Sequence, residues 1–143
     1  MSFVLNETLA RDTAEIGNFN LCKLLWMKDK LYPWAILVPK INDIRELYEL
    51  TVAQQIQVME ESNFLLEAMA KVFSADKMNV AALGNMVPQL HIHHIARFKD
   101  DSAWPAPIWG AKPSVPYSEG ELLQKVNPLL DALKGNFGFK ATL

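Results

Sequence analysis

The sequence predicts an α+β domain, an antiparallel sheet of four to five strands carrying a long helix and a C-terminal helix. Three observations predict it. Four short runs, FNLCKLLWM, WAILVP, KMNVAAL and VPQLHIHHIARF, have strand length and are bounded by turn-forming residues. The stretch from Val52 to about Phe73 repeats apolar residues every three or four positions. No tract between these elements has the composition of an interdomain linker. Residues 1–143 are therefore expected to form one domain, with a core over 18–110 and an arm and helix over 111–143. A chain of that length buries roughly 68–70% of its unfolded surface.

The elements follow in order. Asn6 can cap a first helix, ETLARDTAEIG, that stops at Gly17. FNLCKLLWM then reads as a strand and MKDKLYP as a turn. Trp34 to Val38, closed by Pro39, is a second strand with almost every position apolar, so both of its faces are expected to be covered. Asn42 or Asp43 opens a short helix, and Thr51 caps the long one. In the long helix Val52, Ile56, Met59, Leu66, Met69 and Phe73 form the expected core-facing stripe, with the methionines as filler. KMNVAAL is the next strand, turned at Gly84-Asn85 into a strand from Val87 to Phe98. DSAWPAPIWGAKPSVPYS is irregular and proline-rich. Ser118 caps the last helix, which runs through Glu121 and Leu133, and Glu121 completes a capping box.

Composition narrows the function classes. A net charge of -2 gives no basic footprint for duplex nucleic acid and no polybasic patch for a membrane surface. The longest apolar runs are too short to span a bilayer. MSFVLNETLARD lacks the charged start and long apolar run of a secretory signal. The single cysteine, Cys22, forms no internal disulfide and reads as a strand residue, which fits a reducing compartment and an expected cytoplasmic location.

The chain's three histidines, His91, His93 and His94, fall within four positions. On a strand alternate side chains share a face. Gln89, His91, His93 and Ile95 then point one way, and Leu90, Ile92, His94 and Ala96 the other. Two imidazoles stand about 6–7 Å apart with an amide next in line. Such a pair can be buried and inert. It can also give two ligands to zinc, the rest being carboxylates because Cys22 is distant. Or one imidazole attacks phosphorus while its neighbours bind the charged oxygens. His94, on the other face, is expected to look into the core or an interface.

GNMVPQLHIHHI resembles the signature of the histidine triad (HIT) superfamily, His-φ-His-φ-His-φ-φ after a Gly-containing turn. The triad positions read Gln89, His91 and His93. KMNVAALGN is similar to the strand and loop ahead of that triad, and DKLYPWAILVPK to the ribose-side turn and strand. The likeness covers roughly 21–109 and leans toward the bacterial diadenosine-tetraphosphate-hydrolase-like branch. It implies a HIT-like fold, a homodimer through the long helix and sheet edge, and a purine nucleotide or dinucleotide as substrate, with no metal and no cofactor. It also implies a hydrolase or nucleotidyl transferase acting on phosphoanhydrides or phosphoramidates. In that scheme His91 is the nucleophile. His93 holds phosphate oxygens, and its main-chain carbonyl orients His91. Asp29 takes the ribose, Asn79 and Asn85 contact the nucleotide, and Leu25 and Ile36 flank the base. The sequence departs from the pattern at Gln89, where an amide replaces the first histidine, and at Trp34, where many members carry another histidine. An amide donates a hydrogen bond but no proton, so a nucleotide-binding module with little or no catalysis is the alternative. In ARFKDDSAWPAPIWG, either an arm packs on a partner subunit or Arg97, Lys99, Trp104 or Trp109 reaches the site.

Overall fold

The computed structural model describes residues 2–143. The elements are α1 (Glu7–Asp12), β1 (Thr13–Asn18), β2 (Cys22–Met27), β3 (Trp34–Pro39), α2 (Val52–Phe73), β4 (Lys77–Ala81), β5 (Ile92–Arg97), α3 (Glu121–Leu133) and β6 (Lys140–Ala141). All six strands lie in one sheet of order β4-β5-β3-β2-β1-β6, every neighbour antiparallel. This is the expected α+β class, with six strands in place of four or five.

Register sorts the side chains onto two faces. Leu24 pairs with Leu37, Trp26 with Ala35, and Leu37 with Ile92. These side chains form the main core with Val58, Leu65 and Met69 of α2 and Val126, Leu129 and Leu133 of α3. Leu25, Ile36 and His93 lie across from one another on the opposite face. There Leu25, Ile36 and Val38 are covered by Leu9 of α1 and by Phe3 and Leu5. The second face is therefore closed by the N-terminal segment rather than by a long helix.

The expected helix over 7–17 is corrected. It ends at Asp12, where Thr13 turns extended and its Oγ1 donates to the Leu9 carbonyl at 2.6 Å. Pairing with β2 and full burial of Ile16 outweigh the helical propensity of TAEI. Gly17 is not a helix stop. A Cβ there would sit 2.3 Å from the Phe139 ring and 2.9 Å from the Lys140 carbonyl, so its bareness lets β6 pair with β1. The short helix expected at Asn42 or Asp43 is also absent. Asp43 has φ 61°, and only a 3₁₀ turn at Leu47–Glu49 follows.

Helix α2 has the expected bounds and cap: the Thr51 hydroxyl accepts from the Gln54 N–H, and the Gln54 side chain accepts from the Thr51 N–H. Its buried stripe is rotated from the expected one. Val58, Glu61, Ser62, Leu65, Ala68 and Met69 face inward, whereas Val52, Ile56 and Met59 are exposed. Two polar residues sit in the buried stripe because both have partners. Glu61 accepts from the Leu21 and Cys22 N–H groups at 3.0 and 2.8 Å and from Gln57 at 2.7 Å. Helix α3 has Gly120 at its N-cap. Ser118 donates both its N–H and its hydroxyl to Glu121, half of the expected capping box.

Candidate active site

His91 immediately precedes β5, and its Nδ1 lies 2.7 Å from the Gln89 main-chain carbonyl. A carbonyl only accepts, so Nδ1 carries a proton, and in the neutral ring it is Nε2 that presents a lone pair. The orienting carbonyl belongs to Gln89, not to His93 as expected. His93 stands next to it, ring centroids 5.0 Å apart and nearly perpendicular. Both rings are 5% exposed.

His93 has its own partner. The Trp34 indole N–H donates to His93 Nδ1 at 2.9 Å, so the proton of this imidazole sits on Nε2. Burial, with His91 and His94 adding to it, holds the His93 pKa down at about 3. His93 is thus a neutral N–H donor at physiological pH. Trp109 closes this side, its ring 5.3 Å from His93 and 6.3 Å from Trp34.

His94 points into the core, as expected. Its Nδ1 donates to the Ile92 carbonyl at 2.9 Å, and its Nε2 meets the Ser62 hydroxyl at 2.7 Å, tying β5 to α2. Burial lowers its pKa to about 4. His94 is structural.

The HIT domain family model matches residues 9–100. The chain belongs to the HIT domain family. It is similar to the structure of a histidine triad protein from Marinobacter aquaeolei VT8, at 51% identity over 93% of this chain and 99% of that one, with a TM-score of 0.88. Histidine triad proteins from Bradyrhizobium japonicum and Sinorhizobium meliloti 1021 are 39% and 40% identical. Each covers 92% of this chain, with 98% and 97% of their own lengths matched and TM-scores of 0.90 and 0.89. No curated protein matches the chain significantly.

The positions that align with the HIT triad thus hold an amide and two imidazoles, of which His93 is held neutral by burial. The Gln89 amide is engaged at both ends: Oε1 accepts from the Asn6 N–H at 2.8 Å, and Nε2 donates to the Val4 carbonyl at 2.9 Å. Asp29 is buried, and its Oδ1 accepts from the Leu31 and Val115 N–H groups at 3.1 and 3.2 Å. Its Oδ2 takes no protein hydrogen bond among the described residues. Asn79 is on β4, where its Oδ1 accepts from Arg97 at 2.8 Å. Asn85 shares with His91, Arg45 and Pro88 a polar cleft of about 260 Å³. Leu25 and Ile36 are fully buried beneath Phe3, Leu5 and Leu9, so they form the floor of this face and not its open wall.

Of the candidates at and beyond the end of β5, Trp109 reaches the site and Arg97 does not. The Arg97 guanidinium is buried, donating to Asp101, to Asn79 and to the Ala106 carbonyl, with the Trp104 ring 5.6 Å away. It folds the segment back over the sheet. Arg45 was not legible as a site residue, and for Trp34 the position stood out in the sequence as a departure from the family pattern but its contact did not. Trp34 sets the His93 tautomer, and only the pairing of β3 with β5 brings the two together. Arg45 lines the cleft beside His91 through a loop whose path no local pattern announces. Among the described residues no group of three or more His, Cys, Asp or Glu side chains is arranged to hold a metal ion.

Proposed function

We propose that this HIT protein is a hydrolase or nucleotidyl transferase acting on nucleoside phosphoanhydrides, of which dinucleoside polyphosphates are the best fit, or on phosphoramidates. The observation that carries the reading is the pair of Nδ1 contacts, which turn His91 Nε2, the lone-pair nitrogen of its neutral ring, and the Nε2–H of His93 away from their anchors. Nε2 of His91 attacks the α-phosphorus. The bond from phosphorus to the bridging oxygen or nitrogen breaks, and its electrons leave with the departing group. The ring becomes a nucleotidyl-imidazolium whose Nδ1–H stays on the Gln89 carbonyl, which stabilises the new charge. Water then attacks phosphorus, releasing a nucleoside monophosphate and a proton and restoring the imidazole. His93 donates to a non-bridging oxygen, and Asn85 and Arg45 meet the polyphosphate from the cleft. The test is direct. A labelled adenine dinucleotide polyphosphate should leave an acid-labile nucleotidyl adduct on the protein, and no adduct and no turnover would refute hydrolysis.

A second reading has its own support. Gln89 offers no proton and His93 is neutral, so no acid stands ready for a basic leaving group. A purine nucleotide-binding module with weak turnover would bind tightly and label poorly in the same experiment.

Asp29 is proposed to receive the ribose hydroxyls on Oδ2, with Asn79 contributing from β4. A 2′-deoxy ligand should then bind about 1–3 kcal/mol more weakly than AMP, the cost of leaving a buried acceptor short of a partner. Calorimetric titration with both ligands checks this, and equal affinities would remove the ribose contact.

A homodimer is proposed from the apolar residues left outside the core. Val52, Ile56 and Met59 of α2 and Val80 of β4 are exposed together, and β4 is an open sheet edge. A second copy covers that face in this reading. Sedimentation velocity should give a dimer that Met59→Glu dissociates. Among the described residues no helix is long and apolar enough to cross a membrane. The buried free thiol of Cys22 suits the cytoplasm, where this reading puts the protein.

A further inference from the structure

Segment 2–6 runs extended over the site face without belonging to the sheet. One edge of it is nevertheless hydrogen-bonded like a strand. Asn42 Nδ2 donates to the Ser2 carbonyl at 2.8 Å, and Asn42 Oδ1 accepts from the Val4 N–H at 3.0 Å. Gln89 Nε2 donates to the Val4 carbonyl at 2.9 Å, and Gln89 Oε1 accepts from the Asn6 N–H at 2.8 Å. Four successive main-chain groups on one edge of an extended chain thus meet two side-chain amides, which stand in for a neighbouring strand. Phe3 and Leu5 pack beneath, against the cluster of Leu25, Ile36 and Val38. The Asn6 side chain then caps α1 by accepting from the Thr8 N–H.

Gln89 is a member of two contacts at once. Its side chain holds the segment, and its main-chain carbonyl holds His91 Nδ1–H at 2.7 Å. We infer that Gln89 is a positioning residue, and that segment 2–6, clipped by Gln89 and Asn42, is a buttress that fixes the aim of His91 Nε2. The inference gives the first triad position a task other than proton donation or phosphate binding. It rests on the hydrolase reading for its kinetic effect but not for its effect on the ring. An amide suits the task because it accepts and donates in one plane. A neutral imidazole at position 89 also has one donor and one acceptor, but they point widely apart and cannot address the Val4 carbonyl and the Asn6 N–H side by side.

The decisive variant is Asn42→Ala, which touches the segment but neither His91 nor the cleft. The expected result is faster hydrogen exchange at the Val4 and Asn6 amides and a fall in kcat of about tenfold to a hundredfold, with KM within about twofold, as expected for a misaimed nucleophile. Nitrogen-15 spectra should show His91 leave its single Nδ1–H tautomer, both ring nitrogens moving toward averaged shifts. Gln89→Ala should do the same more strongly. Gln89→His should lower kcat too, although it restores a third histidine. Asn42→Ala that frees the Val4 amide yet keeps the wild-type tautomer and kcat would overturn the buttress. So would loss of activity in Gln89→Ala alone, since Gln89 would then act on substrate directly. If wild type forms no adduct and turns nothing over, the hydrolase reading fails, and the nitrogen-15 shifts still decide whether segment 2–6 orients His91.

Discussion

His91→Ala is expected to lower kcat by at least three orders of magnitude and to weaken nucleoside monophosphate binding by less than about tenfold. The asymmetry comes from geometry. His91 contributes one lone pair, held toward the cleft by the Gln89 carbonyl, and the proposed ligands of the nucleotide are other groups. Alanine removes the covalent route, and water attacking phosphorus directly has no base in its place. Single-turnover kinetics with a labelled dinucleoside polyphosphate, beside AMP titration, reads both quantities. More than about a tenth of wild-type kcat in the variant would show that His91 is not the nucleophile.

The second large effect is on stability. Arg97→Met should destabilise the fold by about 3–5 kcal/mol, because it leaves the Asp101 carboxylate buried without its cation. Both side chains of the pair are almost fully buried, at 2% and 4% exposure, so solvent screening weakens the effect little. Burial alone would raise the Asp101 pKa. The guanidinium and the N–H groups of Phe98, Ala103 and Trp104 prevail and hold it at about 2. That carboxylate therefore contributes stability above about pH 4, its unfolded value, and the contribution is lost as pH falls toward 2. His93 and His94 act at higher pH in the same direction. Each is neutral in the fold down to about pH 3 and 4, while the unfolded side chains take up protons below about 6.5, so stability falls as pH drops from there. Urea midpoints measured from pH 8 to pH 2 should decline below about pH 6.5 and go on declining below about pH 4, and Arg97→Met should shrink the loss below pH 4. A flat profile would contradict both assignments.

How much of this was legible in the sequence depended on the range of the interaction responsible. Thr51 announces the start of α2 because its cap is closed within four residues, on the Gln54 N–H. The alternation of His91, His93 and His94 correctly assigns two rings to one face and one to the other, since strand period is a local property. The buried stripe of α2 was misassigned because hydropathy discounts Glu61 and Ser62. Their burial depends on the Leu21 and Cys22 amides and on His94, up to 40 residues away. TAEIGN gave up its helix to β2 and β6, and the tail strand lies over 120 residues further on. Gln89 is the sharpest case. Its identity was readable as a departure from the triad, but its partners, Val4 and Asn6, are 85 and 83 residues distant.

The Trp34 bond has a consequence for where protons travel. A histidine at that position could both give and take a proton, linking His93 to whatever lay behind it. An indole N–H only gives, and it does not ionise in water. The indole thus takes up the Nδ1 lone pair of His93 without being able to pass a proton onward. In the proposed reaction, a proton lost by the attacking water would leave through the cleft beside His91 rather than behind His93. On the proposed hydrolase reading, water would enter and charge would leave through the same cleft beside His91, so product departure and uptake of the next substrate would compete for one passage.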